Sequence, residues 1–403
     1  MKKMVLVGAG ARAHGHLCRL SQELGDAVSL EGVYDRNPLR AEYFIKNCGA
    51  KKGYDDFDTM LDEVKPDIVF VCTIDATHHI YAVKAMEKGY DVMLEKPMAT
   101  NKEQCLAILE AEKRTGKKVT VTFNCRFMPF FTAIKKALDA GVVGDILHVD
   151  LRWYLDRSHG ADYFRRWHRK MENSGGLLVH KATHHFDIVN WLIGQSPQMV
   201  SAFGSLKFYG KNGQKHGERC RTCAKASTCA LYFDLEQDPI LKDLYLDAER
   251  ADGYFRDRCV FDEEINIYDN MAVNVKYDSG AALSYSLVAY SPHEGWDLII
   301  TGSEGRLEAK SPSPKSDPYE HMTLFTPDGN ITEYNVKKLT GAHGGSDTKL
   351  RKVLFADDPV EDILGRRATS LDGAKSLLIG ACANESIQTG KIVNLAEIIK
   401  EYE

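Results

Sequence analysis

The first third of the chain alternates short, β-rich apolar runs with amphipathic stretches. "KMVLVG", "SLEGVYD", "DIVFVCT", "DVMLEKP" and "KVTVTFN" are separated by segments such as "THHIYAVKAMEKG" and "NKEQCLAILEAEKRTG". Strand, helix, strand repetition predicts a parallel, doubly wound sheet. After about Phe123 the pattern changes. A helix is predicted from Pro129 to Ala140, followed by longer runs, "DILHVDLRWYL", "MVSAFGSLKFY", "MAVNVKYDSGAALSYSLVAY" and "WDLIITG", that suit a mainly antiparallel sheet. The turns agree: "DSG" and "PDGN" each lie between strand-like runs and read as hairpins. A last helix is predicted in "TSLDGAKSLLIGACANESIQTG", which ends on glycine. The chain shows no internal repeat and no low-complexity tract.

With 403 residues the chain exceeds what one core usually serves, so two domains are expected, 1–123 and 124–403. Lys and Arg number 52 against 57 Asp and Glu, without a basic block, so nucleic acid is not an expected partner. No apolar stretch reaches the roughly eighteen residues that a bilayer span needs. The opening "MKKMVLVGAG" leads straight from a short apolar run into glycines, so the expectation is a soluble cytoplasmic protein without a signal peptide. Ten cysteines in such a chain predict reduced thiols rather than a disulfide framework.

"VLVGAGARAHGHL" follows a strand and opens a helix. It sets Gly8, Gly10 and Ala13 at the three positions of the G-x-G-x-x-G/A fingerprint, with Ala11 and Arg12 between them. Glycine lets the backbone approach a pyrophosphate, and the helix start supplies free N–H groups. Asp35 lies about twenty residues on, where a carboxylate accepts hydrogen bonds from a ribose diol. Asp35 would repel a 2′-phosphate, whereas Arg36 would pair with one, so NAD is favoured and NADP stays possible. "CTIDATHH" begins where a strand should end, at the edge that holds ligands in such sheets, which marks Thr73 and His79 as cofactor-side candidates. Thr77 is expected to cap the helix that follows.

Glu95, Lys96 and Pro97 end another strand at the same edge. The fingerprint, this "EKP" about eighty-five residues later and the segment "GGLLVHKATHHFDIVNWLIG" together resemble the Gfo/Idh/MocA oxidoreductases, the glucose-fructose oxidoreductase and myo-inositol dehydrogenase family. "GSEGRLE" and "ESIQTGKIVNL" are also similar to family segments. The resemblance implies an α/β fold class: an N-terminal Rossmann domain followed by an α+β domain with a large, mainly antiparallel open sheet that often serves as a dimer or tetramer surface. It implies that Lys96 is the catalytic or substrate-orienting lysine, with Glu95 beside the cofactor. It also implies a cis Pro97, typical of a tight turn.

The segment from Gly175 to Gly194 packs three histidines, a lysine and an aspartate into eight positions. On one helix, His180, His184 and Asp187 would share a face, with Lys181 and His185 on the adjacent one. Zinc is disfavoured because Lys181 stands where a zinc hydrolase of the HExxH kind has its glutamate. The family pattern has aspartate, three residues, histidine, then aspartate three further on. His184 and Asp187 match the last two positions, and His180 replaces the leading aspartate. A dehydrogenase needs a base for the hydroxyl proton as hydride leaves carbon, and neutral histidine suits that work. The roles expected are His184 as acid-base, Lys96 as the donor that tunes it, and His180 and Lys181 as substrate contacts in a more cationic pocket. Asp187 either orients a ring nitrogen or faces the core, and His185 either fills the interface or lines the site.

"NCRFMP" resembles the segment entering the second domain and sets Arg126 near cofactor or substrate. The aromatic-rich "RWYLDRSHGADYFRRWH" offers Tyr154 as a substrate contact, with Trp153, Tyr163 and Trp167 as weaker candidates. His343, in the glycine-rich "GAHGGSD", is a further substrate candidate, while Ser346 or Asp347 caps the helix after it. "CRTCAKASTC" supplies Cys220, Cys223 and Cys229, and Cys259 follows, within a cysteine-rich insertion around 215–260. Four thiolates make a structural zinc site, with an iron–sulfur cluster or free thiols as alternatives.

The function expected is NAD(P)-dependent hydride transfer at a secondary hydroxyl of a sugar, cyclitol or derivative, by a homo-oligomer. Glycoside cleavage through a transient keto-sugar is the alternative, and a nonenzymatic dinucleotide-linked regulator a more distant one.

Overall fold

The computed structural model describes the chain except residues 21, 22, 24, 315, 340–344 and 356–361. His343 lies outside the described residues.

Six strands of the first sheet are β1 (Lys2–Val7), β2 (Val28–Tyr34), β3 (Lys52–Tyr54), β4 (Ile68–Val71), β5 (Val92–Leu94) and β6 (Val119–Val121), parallel in the order β6-β5-β4-β1-β2-β3. Helices α1 (Ala11–Leu17), α2 (Pro38–Asn47), α3 (Phe57–Val64), α4 (His78–Glu87) and α5 (Lys102–Thr115) connect them. Both faces are covered, which is why the central strands read as unbroken apolar runs such as "IVFV". The order reverses direction at β1, so the crevice beyond the carboxyl ends of β1 and β4 is where such a sheet takes a ligand.

The second sheet has nine strands. β7 (Ile146–Asp156), β8 (Pro197–Ser205), β9 (Asn270–Tyr277), β10 (Ala282–Ser291), β11 (Gly295–Gly302), β12 (Arg306–Ser311), β13 (Tyr319–Phe325) and β14 (Ile331–Lys337) run antiparallel except for the β7–β10 pair. Buried and exposed residues alternate strictly along β9, so one face packs inward and the other stays uncovered. Both expected hairpins form, β9–β10 and β13–β14. The helix expected from Pro129 spans Pro129–Asp139 and is α6.

The expected division of the chain is crossed once. Ala368–Thr369, β15, adds an antiparallel edge to the first sheet beside β6, and Val393–Asn394, β16, closes the second sheet beside β8. Between them runs the helix Ser370–Thr389, capped by Thr369 and Asp372 in a reciprocal capping box and ended by left-handed Gly390. It packs against β8 and against the histidine segment. The close approach needs Gly380, where a Cβ would stand 2.2 Å from the Leu178 carbonyl oxygen.

The histidine segment is not one helix. It forms a single turn, Leu177–His180, and then a separate helix, Ala182–Ile193. The reason lies in the hydrogen bonds: the His184 N–H donates to the Lys181 carbonyl, which frees the His180 carbonyl to accept 2.9 Å from Lys96 Nζ. The reduced-thiol expectation is corrected at one pair. Cys18 and Cys48, which follow α1 and α2 directly, are joined in a disulfide, whereas the other eight cysteines are free.

Candidate active site

Gly8 turns the chain at the end of β1 with φ +94°, and a Cβ there would lie 2.6 Å from the Cys72 carbonyl oxygen. Only glycine fits this turn, which leaves the bare backbone of the fingerprint facing the crevice. Asp35, at the end of β2, accepts from the backbone N–H groups of Ala9 and Asn37, each at 2.7 Å. Burial raises the Asp35 carboxyl above its ordinary range, while Arg36 beside it is exposed. These features fit a dinucleotide. The Ala11 N–H, in the first turn of α1, is already engaged: it donates to the Tyr245 hydroxyl at 2.8 Å. Tyr245 belongs to an arm of the insertion that docks on this edge through Asn37 to the Ala248 carbonyl and Arg40 to the Leu244 carbonyl. Dinucleotide contact with Ala11 therefore requires the phenol to move aside.

Glu95, expected beside the cofactor, is instead a buried clamp. Its carboxylate takes Arg12 Nε and His16 Nε2, each at 2.7 Å, and also caps the Lys96 N–H. Arg12, expected at the cofactor, is thus held back against Glu95, with Asp347 at 3.7 Å. The arginine holds Glu95 well below the usual carboxylate range although burial opposes this.

Thr73 and Thr77 bond one another at 2.9 Å, so Thr77 does not cap the helix as expected. His79 lies partly buried on α4, and its neighbour His78 performs the bridging. The ring of His78 joins the Pro97 carbonyl at 2.7 Å and the Thr73 carbonyl at 3.2 Å, tying the β4 and β5 loops together. The peptide bond preceding Pro97 is cis.

Lys96 is the hinge of the site. Burial, helped by Lys181 and Arg12, lowers its ammonium to about 8, while Asp75 and Glu95 oppose the shift. Beside it, His180 Nδ1 meets Asp75 Oδ2 at 2.5 Å. Burial raises the Asp75 carboxyl above its ordinary range and lowers the His180 imidazole below its own, so burial disfavours the charged form of each. The carboxylate that the helix lacks is thereby supplied from the loop after β4. Tyr163, Trp167 and His168 wall His180, with ring centroids 5.5, 5.7 and 4.2 Å away.

His184 packs edge-on against Phe123, and its Nδ1 is buried with no hydrogen-bond partner among the described residues. Burial, Lys96 and Lys181 hold it well below its ordinary value, so it is neutral at pH 7. His185 points elsewhere: its ring stacks on Trp153 at 3.8 Å, and its Nδ1 meets the Tyr285 hydroxyl at 2.7 Å. Lys181 lies 5.7 Å from the Trp153 ring.

Three expectations are corrected. Asp187 does not orient a histidine; it grips Arg126 Nε and Nη2 at 2.9 and 2.6 Å. Arg126 is for the same reason buried, and it also donates to the Gly365 carbonyl. Tyr154 bonds Asp297 across the β7–β11 pair, as strand alternation turns it away from the histidines. The four insertion cysteines line one cavity of about 220 Å³, with no three of their sulfurs within 4.8 Å of one another.

Sequence reasoning missed Asp75, His16, His78, His168 and Tyr245. Asp75 carried a signal, since it is an acid in the loop following β4 at the ligand edge. His16 and Tyr245 carried none, because their partners lie 79 and 234 residues away.

The chain matches two family models, the "Oxidoreductase family, NAD-binding Rossmann fold" over residues 2–123 and the "Oxidoreductase family, C-terminal alpha/beta domain" over 135–395. It is 37% identical to YteT of Bacillus subtilis (strain 168) over 430 residues, covering 99% of each chain. It is 28% identical to the scyllo-inositol 2-dehydrogenase (NAD(+)) of the same strain over 204 residues, 51% of this chain and 57% of that one. In fold it resembles an oxidoreductase from Agrobacterium radiobacter crystallised with NAD+, L-tartaric acid and magnesium, with TM-score 0.67, 15% identity and coverage of 98% and 99%. This chain belongs to the Gfo/Idh/MocA family of oxidoreductases, with an NAD-binding Rossmann fold at its N-terminal end.

Proposed function

We propose that the protein transfers hydride between a nicotinamide dinucleotide, NAD in preference to NADP, and a secondary hydroxyl of a sugar, cyclitol or derivative. The observation that carries this reading is the 2.9 Å bond from Lys96 to the His180 carbonyl, which brings the cationic donor of β5 onto the histidine segment. When bound, the nicotinamide supplies the hydride acceptor. His184 takes the hydroxyl proton: it is neutral, and a buried ring nitrogen lacks a protein partner. Lys96 donates to the substrate oxygen and favours its deprotonated form. His180, hydrogen-bonded to Asp75, and Lys181 contact the remaining hydroxyls. The walls Tyr163 and Trp167 exclude water from the His180 side.

The cyclitol substrate class is supported by the inositol dehydrogenase named among the relatives, which aligns over half of this chain. Self-association is supported by the uncovered face of the second sheet, where Phe203 on β8 is 78% exposed. The test is incubation with NAD+ and a panel of cyclitols, free sugars and glycosides, with NADH, keto product and released aglycone quantified together. Keto product matched by NADH is expected. Aglycone release without net NADH would replace this reading with redox-assisted cleavage, and no product from any substrate would sink both.

A further inference from the structure

We propose that the insertion holds a metal centre ligated by the thiolates of Cys220, Cys223, Cys229 and Cys259. The inference is independent of the reaction proposed above.

The backbone brings the thiols to one side. Arg219 pairs antiparallel with Arg258, with Cys220 N–H donating to the Asp257 carbonyl at 2.8 Å and Cys259 N–H to the Glu218 carbonyl at 3.0 Å. The bridge sets Cys220 and Cys259 on adjacent segments, and both line the same cavity. A tight turn, closed by Cys223 N–H to the Cys220 carbonyl at 3.1 Å, returns Cys223 to that cavity, and a second turn returns Cys229. All four thiols and His216 then line a single cavity of about 220 Å³, and none of the four is in a disulfide.

Donors are aimed at the sulfurs. The Lys225 N–H reaches Cys223 Sγ at 3.4 Å and Arg165 Nη1 reaches Cys220 Sγ at 3.6 Å. Such contacts orient a sulfur as a ligand. Arg165 and Lys225 also border the cavity and offset part of the charge that four thiolates carry.

The spacing bears on what is held. A lone zinc at about 2.3 Å from each sulfur draws four sulfurs to within about 3.8 Å of one another. Here no three of the four sulfurs are within 4.8 Å of one another, so a lone ion would have to draw the thiols together. Arg219 links the site to the rest of the insertion through Asp257 and Glu249, the latter close to the Tyr245 arm on the cofactor edge. The centre therefore staples the insertion that covers the fingerprint.

The full chain, purified without chelator under anaerobic conditions, should be assayed for zinc, iron and acid-labile sulfide. A stoichiometric metal is expected, either about one zinc per chain or several irons with matching sulfide and a visible charge-transfer band. Cys220→Ser and Cys229→Ser should each lose the metal. Because those variants also disturb folding, mercurial titration of the wild-type thiols should release it in step with thiol modification. Background metal in the wild-type protein, or metal retained after full thiol modification, would overturn the proposal.

Discussion

The histidine segment and the cysteine insertion both crowd ligand-type side chains into a short span of chain, and they resolve in opposite ways. In the first, His180, His184, His185 and Asp187 go to four separate environments: Asp75, Phe123, Tyr285 and Arg126. In the second, four thiols turn to one cavity. A helix distributes successive residues around its axis, whereas a single bridge and tight turns bring the insertion cysteines to one cavity. Density of reactive residues is therefore a poor guide to a shared site, and backbone conformation is a better one.

The largest effect that sharpens this contrast lies within the histidine segment. Lys96→Ala and His184→Ala should each lower turnover by about 10²–10⁴-fold, the scale of a lost acid-base group, while dinucleotide affinity by calorimetry stays near wild type. A wild-type rate in either would remove that residue from the chemistry. Asp187→Ala should act on stability instead, costing about 1–3 kcal/mol in denaturant unfolding because the buried Arg126 is left with Asp372, at 3.4 Å, as its remaining carboxylate partner. Equal loss of kcat in a fully folded Asp187→Ala would show that this aspartate belongs to the reaction after all.

Asp75→Asn should reduce kcat/KM by about tenfold, one charge-assisted hydrogen bond's worth, with a shifted pH profile. The double change Asp75→Asn with His180→Asp, which returns the carboxylate to the segment, should recover part of that loss. No recovery would mean that the pair serves packing alone. Tyr245→Phe should tighten dinucleotide binding by about fivefold, since one neutral hydrogen bond to Ala11 no longer competes. Weaker binding would show that the phenol helps to hold the dinucleotide.

The smallest effect is in pH. The Lys96 ammonium, lowered to about 8, is present below that pH and lost above it, so kcat/KM should fall on an alkaline limb near pH 8. The groups facing it are Asp75, Glu95, Lys181 and Arg12. His184 is held below its ordinary value, so no acid limb is expected between pH 6.5 and 8. Lys96→Arg should move the limb upward; an unmoved limb would assign it to another group.

Much of this was readable in the chain. Period-two runs and turn residues placed both expected hairpins, and the glycine fingerprint placed the ligand edge, because each depends on neighbours within a few residues. Asp187 and Arg126 were legible as polar residues but not as partners, since 61 residues separate them. Tyr154 was misplaced because composition alone does not say which face of a strand a side chain takes. His180 read as a substitution that removed a carboxylate, whereas Asp75, 105 residues earlier, restores one.

The amino-acid sequence by itself determined the doubly wound sheet, the open antiparallel sheet and the turn that only Gly8 can make, all of them consequences of local periodicity and backbone sterics. Tertiary structure alone decided which reactive groups meet. Lys96 reaches the His180 carbonyl because the helix breaks at Lys181, and Tyr245 reaches Ala11 because an insertion folds back across 234 residues. Contacts of that kind are set by how whole elements pack, and no local pattern in the chain encodes them.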